Sequence, residues 1–358
     1  MKQQRVLIWS KSVSDFLDGN VCGIGVQLYF WAQTFVQHNW QVYTLSRHKS
    51  IAQEKIHFIR SLRWGKLEIA HEWLSIFWNL IRLRPKLVIH RGSDRVVYPL
   101  AVISKLLGIK FVLFGASDTN FETEGMVGGG GKHNVMLWQN SIRKTDYIVA
   151  QNLYQQTSLK KNFGRTSIIL HNIWGNIHVL PKTNSVKTDV VWVANFRKLK
   201  RPEWLINAAK AMPEFDFTLV GGPSGREIEY YKDIKQQTEA LSNLHFLGKK
   251  DFAETNAIVS CARLLCCTST YEGFPNTFLQ AWSNEIPVVS TVDPSEIITS
   301  HKLGFVVNSE GEFQEQLRLL LCNDNLYNKI TTNIHTYFKD NHDADNVYEK
   351  LIGWLSLA

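Results

Sequence analysis

The segment from Thr268 to Trp282, TSTYEGFPNTFLQAW, concentrates residues whose order could do chemistry. An apolar run at 264–268 ends in a short loop carrying Glu272 and Gly273, and helical periodicity starts at Pro275. Proline in the first turn of a helix forfeits no hydrogen bond, because the N–H groups there have no intrahelical acceptor. The N–H groups of Asn276, Thr277 and Phe278 then face outward at a helix start, an arrangement suited to an anion such as a diphosphate. Glu272 adds a carboxylate on the rim, placed to accept hydrogen bonds from sugar hydroxyls. The plainer alternative makes Glu272 a helix-start acid interacting with the dipole. The intact segment around it favours the binding role.

Two glycine-rich segments lie in the first half. Gly23-Ile-Gly25 opens a helix after a strand and loop, and lets backbone N–H groups approach a phosphate or sugar. Glycine is also the default in any tight strand-to-helix turn, so both readings stand. The pair lacks the third glycine of a dinucleotide fingerprint, and no acidic residue ends the second strand, which argues against an NAD-linked dehydrogenase. Residues 125–133, GMVGGGGKH, read as a loop, either a lid over an acceptor or a solvated linker. The five cysteines (22, 261, 266, 267 and 322) show no C-x-x-C spacing, and Cys266 and Cys267 fall inside an apolar run. That pattern disfavours a zinc site or disulfide framework and fits a reducing compartment.

These residues need a scaffold, and 358 residues suffice for two domains. Apolar runs alternate with amphipathic stretches throughout, the pattern of parallel α/β units. Strands are expected at 6–9, 42–46, 57–60, 87–90, 111–115 and 147–151, with helices at 26–38, 67–82, 97–107, 134–144 and 153–162. A second series of strands is expected at 190–194, 217–221, 244–248, 264–268, 287–291 and 305–308. A polar stretch at 181–188 marks the joint. The expected domains are 1–185 and 186–340, both Rossmann-like and doubly wound, followed by a helix at 341–358 that returns towards the first domain. The charge is uneven: residues 1–185 carry 23 Lys and Arg against 10 Asp and Glu, a net of +13, while the remainder nets −5. The first half therefore favours an anionic partner. The short apolar start predicts no signal peptide, and no run of about 18 apolar residues predicts a membrane span.

The run Tyr271 to Ala281, followed by Ile286-Pro-Val-Val-Ser290 and Gly304-Phe-Val-Val307, resembles glycosyltransferase family 4, retaining enzymes of the GT-B fold. Val193-Ala-Asn-Phe-Arg-Lys-Leu-Lys-Arg-Pro-Glu203, Phe217-Thr-Leu-Val-Gly-Gly222 and Leu244-His-Phe-Leu-Gly248 resemble the same family in order and spacing. The resemblance covers residues 189–308, and the first half shares it more loosely. It implies two facing Rossmann-like domains with an inter-domain cleft, the second holding a nucleoside-diphosphate sugar.

By that resemblance Glu272 contacts the donor sugar and Lys200 neutralises the diphosphate. Gly273, Phe274, Asn276, Thr277 and Phe278 border the donor. Glu296 falls where the family often has a further acid. Three positions depart from the family pattern. Gln280 replaces the second acid, leaving an amide for ribose contact. Asn195 replaces an arginine, for which Arg197 or Arg201 substitutes. The first-domain histidine is absent, and Asp118 becomes the polar group facing donor or acceptor. Lys200 also reads as a solvated charge in a basic run, and Gln280 as a helix-surface residue.

The expected activity is sugar transfer with retention to a glycan or lipid-linked acceptor, in bacterial-type surface polysaccharide or glycolipid synthesis. No metal and no nucleic acid are expected. A non-catalytic sugar-nucleotide or glycan-binding partner and a GT-B-like epimerase are the rivals. The expected location is cytoplasmic. Residues 60–86 combine Arg60, Arg63, Lys66, Arg82, Arg84 and Lys86 with Trp64, Trp73, Phe77 and Trp78, which suits a peripheral contact with anionic lipid. The opposing reading is an ordinary helix burying Leu67, Ala70, Leu74 and Ile81 on its sheet.

Overall fold

The computed structural model describes residues 3–46, 55–60, 68–123, 132–175, 188–225, 227–272 and 274–357. The chain forms two compact units, residues 1–175 with 343–358, and residues 176–342. Most of the expected joint at 181–188 lies outside the described residues, as do Arg63, Trp64, Lys66, Leu67 and most of the glycine-rich loop at 125–133.

In the first unit, seven parallel strands are ordered β3-β2-β1-β4-β5-β6-β7. They are β1 (Arg5–Ile8), β2 (Gln41–Ser46), β3 (Ile56–Arg60), β4 (Leu87–Arg91), β5 (Lys110–Phe114), β6 (Tyr147–Ala150) and β7 (Ile168–Ile169). The helices are α1 (Ser12–Leu17), α2 (Gly23–Gln37), α3 (Glu68–Leu83), α4 (Val97–Leu106), α5 (Lys132–Lys144) and α6 (Leu153–Phe163). The central strands read as near-continuous apolar runs because helices cover both faces of a parallel sheet. Every residue of β4 is accordingly buried. Each fully buried aliphatic side chain contributes about 1.5–3 kcal/mol, and Leu7, Val88 and Leu113 are among those with no exposure.

The second unit has six parallel strands in the order β10-β9-β8-β11-β12-β13. They are β8 (Thr188–Val193), β9 (Phe217–Val220), β10 (Leu244–Gly248), β11 (Ala262–Cys267), β12 (Val288–Ser290) and β13 (Gly304–Val306). Its helices are α7 (Glu203–Ala211), α8 (Ile228–Thr238), α9 (Phe252–Ser260), α10 (Asn276–Trp282), α11 (Ile297–His301), α12 (Glu310–Cys322) and α13 (Asp324–Asn341). The final helix, α14 (Ala344–Trp354), is capped by Asp343, whose carboxylate accepts the Asn346 amide at 3.0 Å. It packs on α2 of the first unit, where Trp40 Nε1 donates to Tyr348 Oη at 2.8 Å.

The two doubly wound sheets expected from sequence are therefore present, and all twelve expected strands occur. Two short elements went unanticipated, β7 with two residues and α1 with six. The face of α3 also differs from the ordinary-helix reading. Ile76, Leu80 and Leu83 are buried in the core, whereas Leu74 and Ile81 are exposed. The inward stripe at 76, 80 and 83 has the same helical spacing as the expected one, so periodicity did not fix which stripe turns inward.

Candidate functional site

Strand order reverses between β8 and β11, and the carboxyl ends of strands at such a switch point form a crevice. A cavity of about 360 Å³ opens there, of a size usual for small-molecule sites. Its lining includes Trp192, Asn195, Arg197 and Lys200 from the β8 side and Ser269, Glu272, Phe274, Asn276 and Thr277 from the β11 side.

Backbone contacts fix the loop after β8. The Ala194 amide donates to Val220 O at 3.1 Å, and the Phe196 amide donates to Gly222 O at 2.9 Å. Phe196 is fully buried beside Trp192 and Phe246. Gly221 permits this close approach, because a Cβ there would stand 1.7 Å from Ala194 O. Beyond Phe196 a 3-10 turn, Lys198–Lys200, carries Lys200 towards β11.

The two loops are tied together. Thr268 Oγ1 donates to Lys200 O at 2.6 Å, and the Thr270 amide donates to Leu199 O at 2.8 Å. Arg201 Nε donates to Thr268 O at 2.6 Å, and its guanidinium lies 4.4 Å from the Trp204 ring centroid. Arg201 is thus committed to holding the loops, and Arg197 is the arginine that reaches the lining.

Glu272 forms an ion pair with Lys200, and Ser269 Oγ donates to the same Glu272 oxygen at 2.8 Å. Both charged side chains are largely shielded, 15% exposed for Lys200 and 20% for Glu272. A charge pair at this burial feels a weaker solvent screen than one at the surface, so loss of either partner is felt by the other. Behind it, Cys266 and Cys267 are buried, which raises both thiol pKa values and keeps the sulfurs neutral. The start of α10 borders the cavity and has no side-chain cap.

Lys200, Glu272, Arg197, Phe274, Asn276 and Thr277 therefore come together. Gly273 lies outside the described residues. Two expected members are placed elsewhere. The Phe278 amide donates to Pro275 O at 3.1 Å and its ring is fully buried, so neither is turned to the cavity. Gln280 is 4% exposed and does not line the cavity. It sits four residues past Asn276, about 6 Å further along the axis, where packing has closed around it. Its Nε2 has no partner among the described residues. Glu296 is exposed, outside the lining, in a left-handed conformation at φ 57°.

Gly23, Gly25 and Asp118 belong to the first unit. Gly25 has a packing explanation: a Cβ there would lie 2.9 Å from Ser12 O of α1. Its amide donates to the Cys22 Sγ at 3.3 Å, which caps α2. Asp118 begins a 3-10 turn after β5 and accepts Asn152 Nδ2 and Gln155 Nε2, each at 3.0 Å. Sequence reasoning missed Ser269, which orients Glu272, and Ser224, which lines the cavity. Ser224 follows Gly221-Gly222 at a strand end, a signal of close backbone approach that pointed to it.

Residues 187–323 match the family model described as Glycosyl transferases group 1. The O-antigen biosynthesis glycosyltransferase WbnH of Escherichia coli is 26% identical over 149 residues, 40% of this chain and 41% of WbnH. Glycosyltransferase 1 domain-containing protein 1 of Xenopus tropicalis is 22% identical over 170 residues, 45% of this chain and 49% of that protein. These matches thus span less than half the length of either curated relative. Across the whole chain the fold is that of Anabaena Alr3699/HepE, solved in complex with UDP, at TM-score 0.72 and 14% identity, covering 99% of this chain and 100% of that one. The lipopolysaccharide outer core galactosyltransferase WaaB in its apo form aligns at TM-score 0.64 and 17% identity, covering 99% and 100%. The GT-B fold class expected from the sequence is the fold this chain has.

Proposed function

We propose that the chain is a glycosyltransferase of surface polysaccharide or glycolipid synthesis, moving a sugar from a nucleoside-diphosphate donor to a glycan or lipid-linked acceptor. The observation that carries this reading is the Lys200–Glu272–Ser269 cluster in a cavity at the β8/β11 switch point. Negative charge builds on the diphosphate as the bond from the sugar C1 to the phosphate oxygen breaks. A cation fixed at that place stabilises the transition state more than the ground state. Lys200 supplies it, with Arg197 alongside, and no metal is needed. Glu272 orients the sugar through its hydroxyls. Asp118 and the first unit hold the acceptor, and the transfer keeps the anomeric configuration, as in the family that the motif resembles.

Support from relatives lies in the names of WbnH and WaaB, which belong to O-antigen and lipopolysaccharide synthesis, and in HepE, which was solved with UDP. The test is a panel of nucleoside-diphosphate sugars, read by thermal shift and by turnover. Lys200→Ala and Glu272→Gln should each cost about 10²–10³-fold in kcat. Unchanged turnover in both variants would overturn the roles. Donor binding without transfer or hydrolysis by the native chain would favour a non-catalytic partner instead.

The proposal includes contact with an anionic membrane through α3. Leu74 is 66% exposed and Trp78 64%, and Trp73, Phe77 and Ile81 are exposed with them. Exposed Arg82, Arg84 and Lys86 follow at the same end. Aromatic and aliphatic side chains flanked by cations fit the interface of anionic lipid. Among the described residues no helix is long and apolar enough to cross a membrane.

A further inference from the structure

Arg91 ends β4 at the carboxyl edge of the first sheet and is 7% exposed. Its Nη2 donates to Asn172 Oδ1 at 2.6 Å, while its Nε is buried with no hydrogen-bond partner among the described residues. Among the described residues no carboxylate pairs with it. Burial pulls the guanidinium pKa down to about 10, so it stays charged at neutral pH. Buried arginines are almost always paired, because desolvating a charge without compensation is costly.

The groups around Arg91 form a connected row. Gln151 Nε2 donates to the same Asn172 Oδ1 at 2.5 Å. Gln155 Nε2 lies 3.2 Å from Gln151 Oε1 and 3.0 Å from Asp118 Oδ1. The row crosses the carboxyl ends of β4, β5 and β6 and the segment after β7, the edge at which doubly wound sheets bind ligands. Its one carboxylate, Asp118, stands at the far end, three side chains from the guanidinium. Asn172, itself held by Gln151, keeps the arginine in place without neutralising it.

We infer that Arg91, with Asn172 and Gln151, binds an oxyanion, a phosphate or carboxylate carried by the acceptor. An oxyanion supplies the missing counter-charge and an acceptor for Nε–H, and arginine's planar fork matches two oxygens at once. The net charge of +13 over residues 1–185 draws such a group in. That the oxyanion belongs to an acceptor rests on the proposed transferase reading; binding itself does not.

The test uses the full chain carrying Lys200→Ala, which weakens anion binding in the donor cavity, and needs neither donor nor turnover. Inorganic phosphate and acetate are titrated separately at constant ionic strength, with chloride as control. Phosphate or acetate, or both, should raise the melting temperature with the logarithm of concentration above Kd, by about 3–6 °C at ten times Kd. Adding Arg91→Met should abolish that rise and leave the anion-free protein at least as stable, since the unpaired buried charge is gone. Arg91→Lys, which keeps the charge but loses the fork, should weaken the affinity about tenfold and serves if the Met variant does not fold. A response to phosphate alone assigns a phosphorylated group, and one to acetate alone assigns a carboxylate. No rise beyond the chloride control, or one unaltered by both Arg91 substitutions, would overturn the inference while leaving the donor-site reading standing.

Discussion

At the residue scale, the site depends on contacts within a few ångströms of Glu272. Ser269 donates to its carboxylate at 2.8 Å, and a hydrogen bond to a charged group contributes about 1.5–3 kcal/mol. Ser269→Ala should therefore destabilise the second unit by about 1.5–3 kcal/mol and lower donor affinity about tenfold. Titration of donor into the variant checks this, and native affinity would remove Ser269 from the site. His90 offers a pH test. It is buried, its Nδ1–H donates to Trp9 O at 2.7 Å, and burial lowers its pKa below the ordinary 6.5. Below pH 6.5 the unfolded chain takes up a proton that the folded chain refuses, so this residue makes stability fall as pH falls. Replacing it with Gln should flatten the fall of the melting temperature below pH 6.5. Parallel profiles for the two proteins would contradict the assignment. Glu272 was legible because its neighbours in sequence are its neighbours in space. Arg91 was not, since its partner Asn172 lies beyond β7, far along the chain, and is itself held by Gln151 at the end of β6.

At the element scale, α3 separates packing from surface contact. Leu80 is fully buried, and Leu80→Ala should cost about 2–5 kcal/mol without altering lipid binding. Trp78→Ser with Leu74→Ser should leave stability within about 0.5 kcal/mol and weaken sedimentation with anionic vesicles. Equal, salt-independent binding to neutral and anionic vesicles would sink the membrane contact. The periodic pattern announced this helix but not its rotation. Apolar residues at 73, 74, 76, 77, 78, 80, 81 and 83 surround the axis, and only the sheet beneath selects 76, 80 and 83. The edge strand β7, two residues long, gave periodicity nothing to detect.

At the scale of the whole molecule, the last helix closes the chain on its beginning. Val347, Tyr348, Leu351 and Ile352 of α14 are buried in the first unit, and His38 stacks on Tyr348 at 3.8 Å. Lys110 Nζ donates to Leu355 O, and Tyr147 meets Trp354 edge-on at 5.4 Å. Four buried side chains at about 1.5–3 kcal/mol each rival the total stability of a domain. Deleting 343–358 should therefore unfold or aggregate the first unit, measurable as loss of its melting transition. A truncated chain that melts normally would show that α14 is dispensable.

The sequence by itself determined the two series of parallel strands, the helices between them and the donor-like signature at 271–281, because each is written in local periodicity, turn chemistry and contiguous order. The tertiary structure alone decided that Arg197 rather than Arg201 reaches the cavity, that Phe278 and Gln280 face packing, and that Arg91 is buried with no counter-charge among the described residues. The physical reason is range. A strand or a helix start is set by hydrogen bonds over a few residues, whereas burial and charge pairing depend on side chains brought together from far along the chain.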